Sequence, residues 1–112
     1  MKHQTTNWNK EQLSAYILLY CANADFSESK EETELILSKV QGDEYQSVRS
    51  EFEADNDFQS IQKIETTIER LGYSSAQIDD LINEMRKLFM IDGEFDAAEN
   101  TLFTGLKKIL KS

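Results

Sequence analysis

The feature that most constrains this chain is an acidic segment of the form D-x6-E, which occurs at positions 25–32 and again at positions 92–99. The two aspartates are 67 positions apart, the difference between 92 and 25. On both sides of each segment apolar residues recur at helical spacing, which is the pattern of a helix, a short loop and a second helix. The repetition predicts an internal helix-loop-helix duplication, in which the two units pack around a shared core.

The rest of the chain carries the same helical signals. Its 112 residues include no proline and four glycines, so little interrupts a helix. Capping-box patterns at Asn9 and Ser29 and a capping aspartate at Asp57 indicate where helices begin. We predict an all-α protein, a compact bundle of about six helices, with a flexible N-terminus over residues 1–8 and a single domain over residues 9–112.

The longest apolar run covers residues 15–22 and is far shorter than the roughly 20 residues that cross a bilayer. We therefore expect it to form a buried helix, without direct membrane insertion. No apolar segment typical of a signal peptide precedes it. Cys21 is the only cysteine, so an internal disulfide is impossible and a reducing, cytoplasmic setting is expected.

The net charge of the chain favours some kinds of binding partner over others. A formal net charge of −9 opposes binding to nucleic acids, whose phosphates are recognised by clustered lysines and arginines. Cations or basic proteins fit this charge better. Catalysis finds no support, because the single histidine, His3, lies in the terminal stretch and Cys21 lies in an apolar run without an activating partner. We expect a protein that is not an enzyme and has no catalytic residues.

The two acidic segments are the candidate functional site. A carboxylate at the C-terminal end of a helix, as predicted for Asp25 and Asp92, is disfavoured unless something compensates its charge. Glu32 and Glu99 are expected at the third position of the following helices, where a carboxylate caps the helix. If the two units pack around a pseudo-twofold axis, these four residues supply oxygen ligands for Ca²⁺ or Mg²⁺. The alternative is that the segments only cap helices and the protein is an acidic interaction scaffold.

A second acidic string comprises Glu51, Glu53, Asp55 and Asp57. It lacks the glycine that a calcium loop places at its sixth position, where Ser60 stands when the loop is counted from Asp55. We therefore interpret it as a solvated turn between two helices.

With these motifs in place, the chain resembles the TerB-like family, which includes tellurite-resistance proteins. The likeness covers about Leu13 to Leu110 and is carried best by D-G-E-F-D-A-A-E at positions 92–99. In the first segment Phe26 replaces the expected glycine and Glu28 the expected apolar residue. The resemblance implies an all-helical fold with an internal repeat and a protein partner, in some members a membrane-linked complex, in a stress response. It also implies metal-binding acidic residues, here Asp25, Glu32, Asp92 and Glu99, with Asp96 as a further candidate.

Overall fold

The described residues form six α-helices, which confirms the predicted all-α class. The computed structural model describes residues 8–23, 29–92 and 97–111, and for residues 92 and 97–99 it describes the backbone only. The helices are α1 (Lys10–Ala22), α2 (Lys30–Leu37), α3 (Gly42–Ala54), α4 (Asp57–Leu71), α5 (Ser75–Phe89) and α6 (Ala97–Leu110). A short 3-10 turn, Met90–Asp92, continues α5. None of the described residues belongs to a strand.

Side-chain caps fix four of the helix starts. α1, α2, α4 and α5 each begin with a complete capping box, in which the N-cap side chain and the third helical residue exchange hydrogen bonds with each other's backbone amides. The boxes at Asn9 and Ser29 were predicted from the sequence and are confirmed. At α4 the prediction was one residue out, because Asn56 is the cap and Asp57 is the first helical residue.

Helix α1 lies at the centre of the bundle and packs against each of the other five helices. Its buried residues are Leu13, Ala15, Tyr16, Ile17, Leu18, Leu19, Cys21 and Ala22. A helix with apolar residues on all sides is stable only when it is enclosed, which explains the long apolar run and confirms that it is buried. No helix in the described part of the chain is long and apolar enough to cross a membrane.

Trp8 joins this core directly before α1. It is buried, and its ring centroid lies 4.4 Å from that of Tyr16. The Arg70 guanidinium donates a hydrogen bond to the Trp8 carbonyl, which connects the start of α1 to the end of α4. Trp8 therefore belongs to the folded domain, whereas residues 1–7 of the predicted flexible terminus lie outside the described residues.

Helices α5 and α6 form an antiparallel pair. The Phe103 ring packs edge-on against Phe89 near the end of α5, and Lys111 after the end of α6 pairs with Asp79 near the start of α5. The pairs α1–α2 and α5–α6 are the two units that the repeat predicts, and their first helices, α1 and α5, pack on each other. That the two units arose by duplication stays a prediction.

Candidate functional site

The predicted cation site comprises five carboxylates, of which the structure describes one side chain. Asp25 and Asp96 lie outside the described residues. Asp92 ends the 3-10 turn and Glu99 is the third residue of α6, and for both only the backbone is described. The meeting of the two acidic segments therefore stays a prediction, and Glu32 carries what can be said about it.

Glu32 is the third residue of α2 and its carboxylate is buried, with 4% of the residue exposed. Its Oε1 accepts a hydrogen bond of 2.8 Å from the Ser29 amide, and the Ser29 hydroxyl accepts one of 3.1 Å from the Glu32 amide. The position predicted for Glu32 is thus confirmed. A buried carboxylate is costly unless hydrogen bonds or opposite charge compensate it, so this residue is more than a surface cap.

The other three capping boxes differ from this one in chemistry. Their third residues are Gln12, Gln59 and Gln77, which are half-buried and accept the N-cap amide at 2.8–2.9 Å. A neutral amide therefore serves for capping at three helix starts of this protein. Among the four described boxes, the one at Ser29 lies at the end of an acidic segment. It has the charged acceptor, Glu32, which is also the most deeply buried of the four acceptors.

Other groups of possible metal ligands are not found in the described ranges. Within residues 8–23, 29–92 and 97–111, no three histidine, cysteine, aspartate or glutamate side chains come together so that they could hold a metal ion.

A polar cluster among the described residues joins α1, α3 and α4, and we call it the Tyr16 network. It consists of Tyr16, Glu51, Asp55, Ser60 and Lys63. The Tyr16 hydroxyl lies 2.7 Å from Asp55 Oδ2 and 2.9 Å from Ser60 Oγ. Since a phenol has one proton and an ionised aspartate only accepts, Tyr16 donates to Asp55 and accepts from Ser60.

Lys63 forms ion pairs with the two carboxylates of the Tyr16 network. Its Nζ lies 2.7 Å from Glu51 Oε2 and 2.9 Å from Asp55 Oδ2, and the Lys63 and Asp55 side chains are about nine-tenths buried. Burial by itself would lower the pKa of Lys63, but the hydrogen bonds and charges of Glu51 and Asp55 raise it above its ordinary value. Burial, together with Asp55 and Glu51, also raises the pKa of Tyr16 despite the opposing hydrogen bond from Ser60.

The Tyr16 network corrects the interpretation of the second acidic string. Glu53 and Asp57 are exposed as expected, but Asp55 is buried and Glu51 is held by Lys63. The segment is therefore an anchor between helices as well as a turn. Because the Ser60 hydroxyl is buried and bonded to Tyr16, the cluster is suited to holding α1, α3 and α4 together and not to attacking a substrate.

A second polar cluster lies between α1 and α5, and we call it the Tyr73 cleft. Its volume is 180 Å³, and its lining residues are Lys10, Ser14, Tyr73, Gln77, Asp80, Leu81 and Glu84. The Lys10 ammonium lies 5.4 Å from the centre of the Tyr73 ring, and Lys39 pairs with Oε2 of Glu84. The first turns of α1 and α5 thus lie on the same side of the bundle.

Two residues that line the Tyr73 cleft each have a buried atom without a hydrogen-bond partner among the described residues, the Tyr73 hydroxyl and Oε1 of Glu84. Burial, and then the charges of Glu11 and Glu84, raise the pKa of Tyr73 to about 12. Buried polar groups are nearly always paired, so two such residues in one cleft distinguish it from the rest of the bundle.

Sequence reasoning missed both clusters, because their members are far apart in the chain. Tyr16 and Asp55 are 39 positions apart, and Lys39 and Glu84 are 45. One local signal was available, since Lys63 follows Asp55 by eight positions across a predicted helix turn. Neither the spacing nor the composition indicates that Tyr73 points into a cleft.

Comparison with models of protein families, with curated proteins and with solved structures found no match to this chain.

Proposed function

We propose that this protein is a cytoplasmic helical binding module that takes up a divalent cation, Ca²⁺ or Mg²⁺, at its two acidic segments and acts through a protein partner. The observation that supports the proposal is the buried glutamate at the start of α2. The role in a stress response of the tellurite-resistance kind follows from the TerB-like resemblance. The net charge of −9 favours a basic surface on the partner.

The capping box of α2 differs from the other three in its third residue. The third residue of the box is a glutamine in α1, α4 and α5, whereas in α2 it is Glu32, which is 4% exposed. A carboxylate in that place adds a desolvation penalty that an amide would not incur. A divalent cation would favour a carboxylate over an amide in this place. Since α6 begins at Ala97, Glu99 has the same third position in its helix, so the second acidic segment offers an equivalent carboxylate.

The arrangement of helices is compatible with a shared site. Lys10 and Ser14 in the first turns of α1 line the same cleft as Tyr73 and Gln77 at the start of α5. Two helices that begin on one side and pack along each other run in a similar direction. The segments after α1 and α5 would then leave the pair on the same side, as a joint site requires.

The alternative function, an acidic interaction scaffold, is favoured by one observation. Glu32 makes the same pair of hydrogen bonds as the three capping glutamines, so capping accounts for part of its role. If the protein is such a scaffold, Glu32 and Glu99 bind no cation, and the protein recognises its partner through its negative surface alone.

A thermal-shift titration with the variant Glu32→Gln separates the two functions. In chelator, the Glu32→Gln protein should retain the cap, and its unfolding temperature there is the baseline for its response to cation. In the wild-type protein, a cation at 100 times its dissociation constant should add about 2.7 kcal/mol to the free energy of unfolding. We expect Glu32→Gln and Glu99→Gln to lose most of this gain.

Glu44→Gln is the matched control, because it removes the same charge from an exposed position in the first turn of α3. It should respond to Ca²⁺ and Mg²⁺ as the wild type does. If the wild-type unfolding temperature does not change up to millimolar cation, the cation proposal fails and the scaffold function takes its place.

A further inference from the structure

We propose that the outer face of α5 binds a second copy of this chain, in a symmetric dimer whose two α5 helices lie antiparallel. The inference rests on the order of the side chains along this face, which we call the α5 strip, and is independent of the cation proposal. The residues of the strip are exposed and lie on one side of α5 and of its C-cap: Ala76, Asp79, Asp80, Asn83, Arg86, Lys87 and Met90.

The charges of the α5 strip are in mirror order about Asn83. Asp79 and Asp80 lie four and three positions before it, and Lys87 and Arg86 lie four and three positions after it. A two-fold axis beside Asn83 places each residue opposite the one at the same distance on the other side. Asp80 then faces Arg86 of the second copy, and Asp79 faces Lys87 of the second copy. The same two ion pairs form again in the other half of the interface.

The uncharged residues of the α5 strip fit the same arrangement. Asn83 lies beside the axis, where two carboxamides can exchange hydrogen bonds because each has a donor and an acceptor. Ala76 and Met90 are both seven positions from Asn83, so each methionine meets the small side chain of an alanine. Met90 is 48% exposed in the single chain, and this contact removes part of its apolar surface from water.

The dipole of α5 by itself favours acids near the start of the helix and bases near its end. It does not account for the exposed Met90, nor for a cleft of 630 Å³ that is lined by five residues of the α5 strip and by Glu84. Within residues 8–23, 29–92 and 97–111, Asp80 and Lys87 also have no ion-pair partner. The cleft gives space to the side chains of a second helix, and the two unpaired charges give it partners.

The other two charges of the α5 strip have partners within their own chain. Asp79 Oδ1 lies 3.2 Å from Lys111 Nζ, and the Arg86 guanidinium lies 5.3 Å from the centre of the Phe103 ring. Asp79 and Arg86 are nevertheless exposed, so each can also pair with a charge of the second copy.

The net charge of the protein favours this face for self-association. Two copies with a charge of −9 each repel one another. On the α5 strip two acids and two bases cancel, whereas the exposed charged residues of α3, Asp43, Glu44 and Glu53, are all acidic. A second copy therefore meets less repulsion at the α5 strip than at α3, and by symmetry it brings the matching order of charges.

The size of the α5 strip limits the strength of the dimer. From Ala76 to Met90 the strip extends over roughly 21 Å, at a rise of about 1.5 Å for each residue. A contact of this length and of one helix in width buries less than the roughly 800 Å² on each partner that is usual in stable complexes. We expect a weak dimer with a dissociation constant on the order of 100 μM.

Sedimentation equilibrium of the chain tests whether it dimerises. Between about 10 μM and about 1 mM, a range that brackets this dissociation constant, the mean mass should rise from 12.9 kDa towards twice that value. In ¹⁵N NMR spectra over the same range, the amides of Asp80, Asn83 and Lys87 should shift with concentration. The amides of Asp43 and Glu44 in α3 should not.

A pair of charge-reversal variants assigns the dimer to the α5 strip. Asp79→Lys with Asp80→Lys sets lysines against Arg86 and Lys87 of the second copy, and Arg86→Glu with Lys87→Glu sets glutamates against the two aspartates. Like charges placed opposite each other oppose association, so each double variant alone should stay monomeric. An equimolar mixture should dimerise about as well as the wild type, because every facing pair then has opposite charges again.

The matched control is Glu65→Lys with Glu69→Lys. It makes the same change in net charge as the two lysine substitutions in α5, at exposed residues of α4, and should dimerise at least as well as the wild type. Far-UV circular dichroism shows whether each variant keeps its helices.

Four outcomes would overturn the proposal. A wild-type protein that stays monomeric at the highest concentration has no such dimer. Charge-reversal variants that dimerise on their own would show that the contact uses another surface, as would a mixture of the two folded variants that does not associate. Loss of the dimer in the α4 control would mean that the contact does not depend on the α5 strip alone.

Discussion

The Tyr16 network and the Tyr73 cleft both combine a tyrosine, a lysine and acidic residues. They differ in how many of these polar groups have a hydrogen-bond or ion-pair partner. In the network, Tyr16 donates to Asp55 and Lys63 holds Asp55 together with Glu51. In the cleft, Lys39 holds one oxygen of Glu84, and the other oxygen and the Tyr73 hydroxyl are left unpaired.

The difference indicates what each cluster does for the protein. A fully paired buried network fixes the relative position of the helices that contribute to it, here α1, α3 and α4. Unpaired buried polar atoms reduce stability. On this comparison the network contributes more than the cleft does to holding the helices together.

The largest expected effect is that of removing Lys63. Lys63→Met leaves the carboxylates of Asp55 and Glu51 without their cation in a buried setting, and losses of about 3–5 kcal/mol are typical of such changes. Urea denaturation at neutral pH measures the loss. Lys39→Met is the matched control in the cleft, where the Lys39 and Glu84 side chains are about a quarter exposed and the loss should stay below about 1 kcal/mol. Equal losses in the two variants would contradict the comparison.

Alkaline pH should destabilise the protein through its buried tyrosines. Because the pKa of Tyr73 is raised to about 12 from an ordinary 10, its neutral form is favoured in the folded state. Its contribution to stability is complete below pH 10 and is lost as the pH rises from 10 to 12. The raised pKa values of Tyr16 and Lys63 act in the same direction.

The variant Tyr73→Phe tests this contribution. Between pH 10 and pH 12 its free energy of unfolding should fall less than that of the wild type, by about 2 kcal/mol. Denaturation at pH 7 gives the baseline for each protein, and phenolate absorbance follows the ionisation directly. A fall as steep as that of the wild type would show that Tyr73 ionises at its ordinary pKa.

The smallest effect is the most direct comparison of the two clusters, because the same substitution is made in each. Tyr16→Phe removes the buried hydroxyl that bonds to Asp55 and Ser60 and should destabilise by about 1–2 kcal/mol. Tyr73→Phe removes a hydroxyl that is unpaired, so it should be neutral or stabilise by up to about 1 kcal/mol. Both are measured by urea denaturation at neutral pH. Equal destabilisation would mean that Tyr73 is paired in solution.

Much of the fold could be predicted because its signals are local. The capping boxes at Asn9 and Ser29 depend on residues three positions apart, and the apolar run over residues 15–22 identifies the central helix without reference to the rest of the chain. The error of one residue at Asn56 arose because the two neighbouring residues, Asn56 and Asp57, are both good N-caps.

The candidate site was less predictable, because it depends on contacts across the bundle. The sequence identified Glu32 and its place in α2. It could not indicate that Glu32 is buried while the capping glutamines are half-buried, since burial is set by how α2 packs on α1. The sequence also predicts a solvated Asp55, because it does not show that the partner Tyr16, 39 positions away in a different helix, buries this side chain.

The enclosure of α1 has a consequence for how the chain folds. Because α1 contacts all five other helices and exposes almost nothing of its apolar surface, it gains most of its free energy only after its neighbours have assembled. The apolar surface of α1 is therefore fully buried only when all five neighbouring helices are in place. We expect folding to be all-or-none, and fragments that end within α4 or α5 to aggregate through the uncovered sides of α1.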